Sequence, residues 1–500
     1  MKRHHLLLAA ASLAILPGPA LATPASLVEQ SRKLLDSKPE EALRASEEAL
    51  REEASVEGGQ RARGWALLSL NRNAEAADAF RAAIADNSKD LNAVFGLARS
   101  LRRLEKYEEA KVLLERLIAE DPTMDDYFER AMVFAGMKDI DKALADYDRA
   151  IAKEPSIGAY YNRAWLHADR KDYDKAIADF EKARAIDAKD LDTHKALGEV
   201  YADAERYAES LASYSAARQL DATDATAAIG IADALYNLDR WQDAIAAYRT
   251  AQKLDPKNAH LLYWEAKAFD QLDDRKAGLG LYAKALKLDP TMADAHTRRA
   301  EAYDALGDKK KALEEYGKAI AAEPASADRL VHRAYFYSGE GKTAEAMADV
   351  RAALKMEPKS SYALNALGLL QKDAGKQEEA IAAFDAALAA DSAMEAAWYN
   401  RGNVYADQGR LDRAVRDYNE SLRLSPNDPI TLAAKGEAYR NTGDNLRAVE
   451  DFTSSLKADP NQALTLYRRG KAYGELGNAA AAKADKDAAL KMDPDVADDE

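Results

Sequence analysis

The 500-residue chain contains no cysteine. That excludes disulfides, thiolate metal sites and cysteine nucleophiles, and it leaves the redox compartment open, because a cysteine-free chain suits either. Histidine is scarce, at seven. His4 and His5 sit at the N-terminus, and His167, His194, His260, His296 and His332 are scattered singly, so none makes the H-E-x-x-H spacing of a zinc site. Positive charge is in deficit: the net charge is −15 and the pI about 5.2. This argues against a general nucleic-acid surface, since phosphate recognition needs clustered Lys and Arg. Long apolar runs are missing as well. The stretch at residues 6–16 has 11 residues, short of the roughly 18–20 that span a bilayer, and no later segment is long and apolar enough.

That short run belongs to a recognisable beginning. Lys2-Arg3-His4-His5 forms a basic start, residues 6–16 an apolar core, and Ala20-Leu21-Ala22 a small-residue cleavage site. Together they have the layout of a secretory signal peptide over residues 1–22. No lipobox cysteine is present to carry a lipid anchor. The expected product is an exported chain, periplasmic or alternatively secreted, made more acidic by the loss of Lys2 and Arg3.

What the rest of the chain has is a period. Residues 398–426, WYNRGNVYADQGRLDRAVRDYNESLRLSP, read as two amphipathic helices joined at Gln408-Gly409 and stopped at Pro426. Equivalents of Pro426 fall at Ser88, Pro122, Pro155, Ala188, Ala222, Pro256, Pro290, Pro324, Pro358, Ser392, Pro460 and Pro494. Every step is 34 residues except the two on either side of Pro155, which are 33. Numbering each repeat so that this place is position 32, position 8 is Gly or Ala throughout, and position 20 is Ala except at Ser210 and Gly278. Position 24 is mostly aromatic: Phe80, Tyr147, Phe180, Tyr214, Tyr248, Tyr282, Tyr316, Phe384, Tyr418 and Phe452. Alternation of large and small residues at facing places is how antiparallel helices interdigitate, and a fixed period over hundreds of residues marks a stacked array.

This small, small, aromatic, small, Pro pattern resembles the tetratricopeptide repeat (TPR) family, with 13 units over residues 57–494. The resemblance implies an all-α fold, a right-handed superhelical solenoid of antiparallel helix pairs in which each unit's first helix lines a concave groove. Residues 23–56 are then a degenerate N-terminal capping pair, with Lys33 and Ser46 where aromatics would sit, and 495–500 an acidic, frayed tail. Lys486 replaces the aromatic of the last unit.

Positions 7 and 23 vary together. Arg130 accompanies Asp146, Arg163 Asp179, Arg299 Glu315, Arg333 Asp349, Arg401 Asp417, Lys435 Asp451, and Arg469 Asp485. Where position 7 is Leu97, Leu197, Ile231 or Leu367, position 23 is uncharged, and Arg63 facing Ala79 breaks the pattern. An ion pair within a unit, or between neighbours, is the expectation.

The resemblance also places positions 2, 5, 6, 9, 12 and 13 on the groove. The candidate peptide-binding residues are Tyr161, Asn162, Trp165, Tyr263, Trp264, Tyr399, Asn400 and Asn403, with Tyr236, Asn237, Tyr335, Tyr362, Asn365 and Tyr467 on the same face. Asparagine amides can hydrogen-bond an extended backbone, and Tyr and Trp offer rigid contact area; packing against the adjacent unit is the competing role. The family's carboxylate clamp is not reproduced, and Asp169, Glu199, Asp203, Asp233 and Asp270 suit a basic ligand equally. Gly341-Lys342-Thr343 is similar to the end of a phosphate-binding loop, but Phe336 stands where its first glycine belongs, so it reads as an inter-helix turn. Asp493, Asp495, Asp498 and Asp499 read as a solvated tail rather than a calcium site. No cofactor or metal is implied. The expected function is a non-catalytic exported scaffold binding a protein or peptide. An assembly component of an envelope polysaccharide-export or secretion machine, and an enzyme with an unrecognised site, are the alternatives.

Overall fold

The computed structural model describes residues 23–497, so the expected signal peptide at 1–22 lies outside the described residues. Twenty-eight helices, numbered in chain order, follow one another among the described residues, with no strand. The first two, α1 (Pro24–Leu34) and α2 (Pro39–Glu52), precede the periodic region. The remaining 26 run from α3 (Gly59–Ser69) and α4 (Asn73–Asp86) to α27 (Ala463–Glu475) and α28 (Ala479–Met492) as successive antiparallel pairs. Each second helix has 14 residues and nearly every first helix 13. The chain divides into two compact segments, one ending at Asp243 and one starting at Ala244.

The interdigitation expected from the small and aromatic positions is present. A Cβ on Gly402 would lie 2.7 Å from the Tyr418 ring, and one on Gly368 2.5 Å from Phe384. Two aromatics need a second glycine that the repeat pattern did not single out. Phe80 lies against both Gly64 and Gly96, and Tyr214 against both Gly198 and Gly230, each second glycine coming from the first helix of the next pair. A Cβ on Gly96 would meet the Phe80 ring at 2.3 Å, and a buried ring has little room to retreat. Gly96→Ala is expected to destabilise the N-terminal segment by about 1–3 kcal/mol, read as an earlier urea midpoint, whereas Gly280→Ala, in open space, should not.

Gly278 has a different reason. Its Cβ would sit 2.8 Å from Oδ1 of Asp270, so the one glycine at position 20 makes room for a carboxylate. Ser210, the other departure, donates from its hydroxyl to the Gly198 carbonyl at 2.7 Å. In the last pair the stem of Lys486 fills the aromatic's place, its Cγ 3.0 Å from a Cβ on Gly470. The expected frayed tail needs one correction: Val496 is 1 % exposed.

All seven expected ion pairs form, and each lies within one repeat. Their N–O distances are 2.6 Å for Arg130–Asp146 and Arg163–Asp179, 3.4 Å for Arg299–Glu315 and 2.8 Å for Arg333–Asp349. Arg401–Asp417 is 2.8 Å, Lys435–Asp451 3.0 Å and Arg469–Asp485 2.7 Å. The arginines of two repeats also reach back to the preceding one, Arg163 to Asp148 and Arg401 to Asp385, both at 2.5 Å. Glu265 inverts the scheme. It stands at position 7, is 2 % exposed, and takes Arg249 and Gln252 of the preceding repeat at 2.7 Å each.

Glu315 adds a pH dependence. Burial pushes its carboxyl up, but hydrogen bonds from His296 and Lys318 and the charge of Arg299 outweigh this and hold it at about 2, against 4.5 unperturbed. A depressed carboxylate contributes stability above its unfolded pKa and loses it as pH falls through the folded one. The Ala244-onward segment should therefore lose stability as pH falls from about 4.5 towards 2, by a few kcal/mol from this group. Glu315→Gln should flatten that part of an acid titration followed by circular dichroism.

Candidate functional site

In each segment the candidate residues lie on first helices, and the two segments carry different chemistry there. In the N-terminal segment, α9 (Ile157–Asp169) holds Tyr161, Asn162 and Trp165. The Tyr161 and Trp165 rings meet the buried Phe180 edge-on at 5.3 and 5.4 Å and each other at 6.2 Å. Both are half-buried walls of the core, with only part of each ring facing solvent. Asn162, one position on, makes no hydrogen bond among the described residues, so its amide is available. Farther along, burial and the neighbouring Asp203 push the Glu199 carboxyl up. Burial, with the charges of Glu199, Asp233 and Asp203, raises the Tyr214 phenol too. Negative charge is concentrated there.

Three residues in this segment were missed by sequence reasoning: Arg99 and Arg102 close on Glu129, at 2.5 and 2.7 Å. Glu129 is 1 % exposed. Its signal was available, since two arginines at positions 9 and 12 of one repeat precede a glutamate at position 6 of the next.

The segment from Ala244 presents a longer polar row. Tyr263 and Trp264 lie on α15 (Ala259–Gln271). Tyr263 is buried, 5.8 Å from the Tyr282 ring, while Trp264 lies 4.0 Å from the Lys267 ammonium, a cation–π contact. Burial and the Arg298 charge pull Lys267 down. Tyr282 donates its hydroxyl to Asp270 at 2.5 Å, yet burial prevails and the Asp270 carboxyl is pushed up. On α17 (Ala293–Ala305), Arg298 binds Glu301 at 2.9 Å, and Glu301 accepts His332 of α19 (Ala327–Gly339) at 3.3 Å. Burial pushes Glu301 up, but His332 and Arg298 prevail and hold it below the usual range. A cleft of about 310 Å³ opens beside Glu301, His332 and Tyr335.

Beyond the cleft, three repeats are tied together. The Asn365 amide, on α21 (Ser361–Asp373), donates to the Tyr335 hydroxyl at 3.1 Å. The Asn400 amide, on α23 (Glu395–Asp407), donates to the Asn365 carbonyl oxygen at 3.0 Å. Asn365 is buried, whereas Tyr335 is 39 % and Tyr362 60 % exposed. Asn400 keeps its own side-chain oxygen unengaged, and the Tyr335 hydroxyl keeps its proton to donate, one acceptor and one donor at the surface. Asn403 differs, since its oxygen accepts the buried Tyr418 hydroxyl at 2.7 Å. Tyr399 packs 6.1 Å from the same Tyr418 ring. Asn400 is thus joined to Asn365 and Tyr335, while Tyr399 and Asn403 serve the interior aromatic. The Tyr161 group belongs to the other segment.

Sequence models described as tetratricopeptide repeat match residues 36–90, 67–132, 158–190, 195–259, 293–326, 333–395, 395–428, 431–462 and 463–496. The first of these takes in α2, ahead of the 34-residue series. No curated protein matches the chain. Among solved structures, it is similar to a chain of the crystal structure of the APC/C hetero-tetramer Cut9-Hcn1, with 15 % identity, TM-score 0.42, and 90 % of this chain and 97 % of that one covered. It is similar also to Pseudomonas aeruginosa pilF, with 20 % identity, TM-score 0.37, and 41 % and 93 % covered.

Proposed function

Because the chain belongs to the tetratricopeptide repeat family, we propose that it is a non-catalytic interaction scaffold that holds an extended segment of a partner protein along its stacked first helices. One observation carries the reading: the Tyr335–Asn365–Asn400 hydrogen-bonded row, flanked by exposed Tyr362. Hydrogen bonds between repeats fix these side chains before a ligand arrives, which lowers the ordering cost of binding. The free oxygen of Asn400 and the hydroxyl of Tyr335 complement a backbone N–H and C=O. Asn162 is a second contact in the N-terminal segment.

The scaffold is exported, to the periplasm in this reading. Cleavage after Ala22 would leave Thr23 first, and Thr23 caps α1 by accepting from the Ser26 amide at 3.2 Å, which supports a folded boundary at that bond. The test is affinity capture from the native envelope with mass spectrometry. Asn162→Ala, Tyr362→Ala and Asn400→Ala combined should abolish capture while leaving helicity intact, and undiminished capture would reject the groove. Tyr161, Trp165 and Tyr263 are poor probes, because their rings also hold the core together.

A further inference from the structure

Two neighbouring pairs, α15 with α16 (Arg275–Leu288) and α17 with α18 (Lys309–Ala322), carry an aspartate at the same place, position 12, and treat it differently. Asp304 is ion-paired with Lys309 at 2.5 Å, and position 20 of its repeat is the usual alanine, Ala312. Asp270 has lost that partner. The residue equivalent to Lys309 is Arg275, which donates from Nε to Asp273 at 3.0 Å instead. Asp270 packs inward: Oδ2 accepts the Tyr282 hydroxyl at 2.5 Å, and Oδ1 lies 2.8 Å from where a Cβ on Gly278 would be. Oδ1 is buried and has no hydrogen-bond partner. Gly278 is the only glycine at position 20. Glycine inside a helix is unfavourable, so the space is made for this side chain rather than for the helix.

An ionised carboxylate is poorly served there. Burial pushes the Asp270 carboxyl up, and the Tyr282 hydrogen bond with the charges of Arg298 and Arg275 only partly offsets it, while Glu301 acts in the same direction as burial. Lys267, one turn back on α15, is itself pulled down by burial. From α14 (Trp241–Leu254) comes Arg249, which is held by Glu265. Burial pushes the Tyr282 phenol up as well, so the proton between the two stays on the tyrosine. A second proton, on Oδ1, reverses the situation. A neutral carboxyl costs less to bury, and the orphaned oxygen becomes a donor. The Ala266 carbonyl, one turn back, borders the same space, 3.4 Å from the Gly278 Cβ position. Bonding back to the carbonyl four residues earlier is what helical hydroxyls do.

We propose that Asp270 is a proton-operated latch in the pair α15–α16. Uptake of a proton on acidification seats its side chain between Gly278 and Tyr282, and loss of that proton leaves an ion in the space and loosens the pair. A carboxyl whose folded pKa is raised destabilises the fold when ionised. Stability is therefore regained as pH falls through the folded pKa, and fully so below the unfolded value of 3.8. The sign is opposite to that of Glu315, whose loss begins only below about 4.5. The latch concerns one helix pair and stands whether or not a partner lies on the first helices.

The test follows amide protection factors of α15 and α16 in the full chain from pH 7 to 4.5, above the range in which Glu315 acts. Protection should rise severalfold on acidification in the parent. Asp270→Asn, which carries a donor at every pH, should be protected at pH 7 as the parent is at pH 4.5 and should not respond to pH. Gly278→Ala, which crowds the side chain out, should abolish the rise too, and decides the matter if Asp270→Asn does not fold. Infrared difference spectra of the parent, carried to lower pH, should show a carboxylic acid band whose midpoint lies above 3.8 and which Gly278→Ala shifts down. The proposal is overturned if the parent's protection does not rise, if either variant, folded, keeps the same rise, or if the band appears only at or below pH 3.8.

Discussion

Arg401→Leu is expected to destabilise its repeat by about 3–5 kcal/mol, because it leaves Asp417 without its guanidinium in a site where that carboxylate is 5 % exposed. The pair is bidentate, with Nε and Nη2 each 2.8 Å from a carboxylate oxygen. The cost arises from the stranded charge more than from the lost attraction. The double variant Arg401→Leu with Asp417→Ala should therefore recover most of the loss. The chain carries its own precedent for that combination, since Leu367 and Ala383 occupy the same two positions one repeat earlier. In a repeat array a single global unfolding free energy is not well defined, so the comparison belongs to amide hydrogen exchange read along α23 and α24 (Leu411–Leu424). A single variant no worse than the double would show that the pair is not the determinant.

Replacing Glu105, Lys138, Lys171 and Glu205 together by glycine is expected to stabilise the N-terminal segment by about 2–4 kcal/mol. Every pair of the 34-residue series closes on a residue in the left-handed region, and the two halves of the chain solve this differently. Asn71, Glu105, Lys138, Lys171, Glu205, Asp239 and Asp273 have φ between 57° and 62°, whereas Gly307, Gly341, Gly375, Gly409, Gly443 and Gly477 fill the later turns. The turn itself is the same: Arg410 donates to the Tyr405 carbonyl at 2.8 Å, and Lys106 to Leu101 at 2.9 Å, the closing bond of a helix C-terminus with a left-handed cap. A side chain in that conformation costs roughly 1–2 kcal/mol, of which glycine's extra unfolded-state freedom offsets about 0.5–1. Four separate sites should add. Gly341→Lys, the reverse change in the other segment, should lower stability there. Amide hydrogen exchange read along each segment tests both, and no gain from the four glycines would contradict the strain.

The repeat pattern made the helix pairs legible because the physics behind it is local and periodic. A small residue opposite an aromatic, and an acid 16 residues after a base, recur at one spacing, and the seven ion pairs follow from it. Features that cross from one repeat to the next were harder to read. Gly96 answers an aromatic 16 residues earlier in another pair, Glu265 reverses the sign of its position, and Asn365 reaches both backward to Tyr335 and forward to Asn400. Two roles of one residue type also look alike in sequence. Asn400 and Asn403 are both asparagines of one helix, yet only Asn403 is engaged by a buried tyrosine, one turn away. The left-handed lysines and glutamates carry no signal of their own, since only glycine or asparagine announces that conformation.

The central claim, that a partner protein lies along the stacked first helices, is most directly tested by site-specific photocrosslinking in the native host. A photoreactive residue at Tyr362, 60 % exposed on a first helix, should yield a discrete crosslinked partner, and one at Leu446, 67 % exposed on a second helix, should not. Crosslinking from Leu446 with none from Tyr362 would place the partner on the other face and contradict the account.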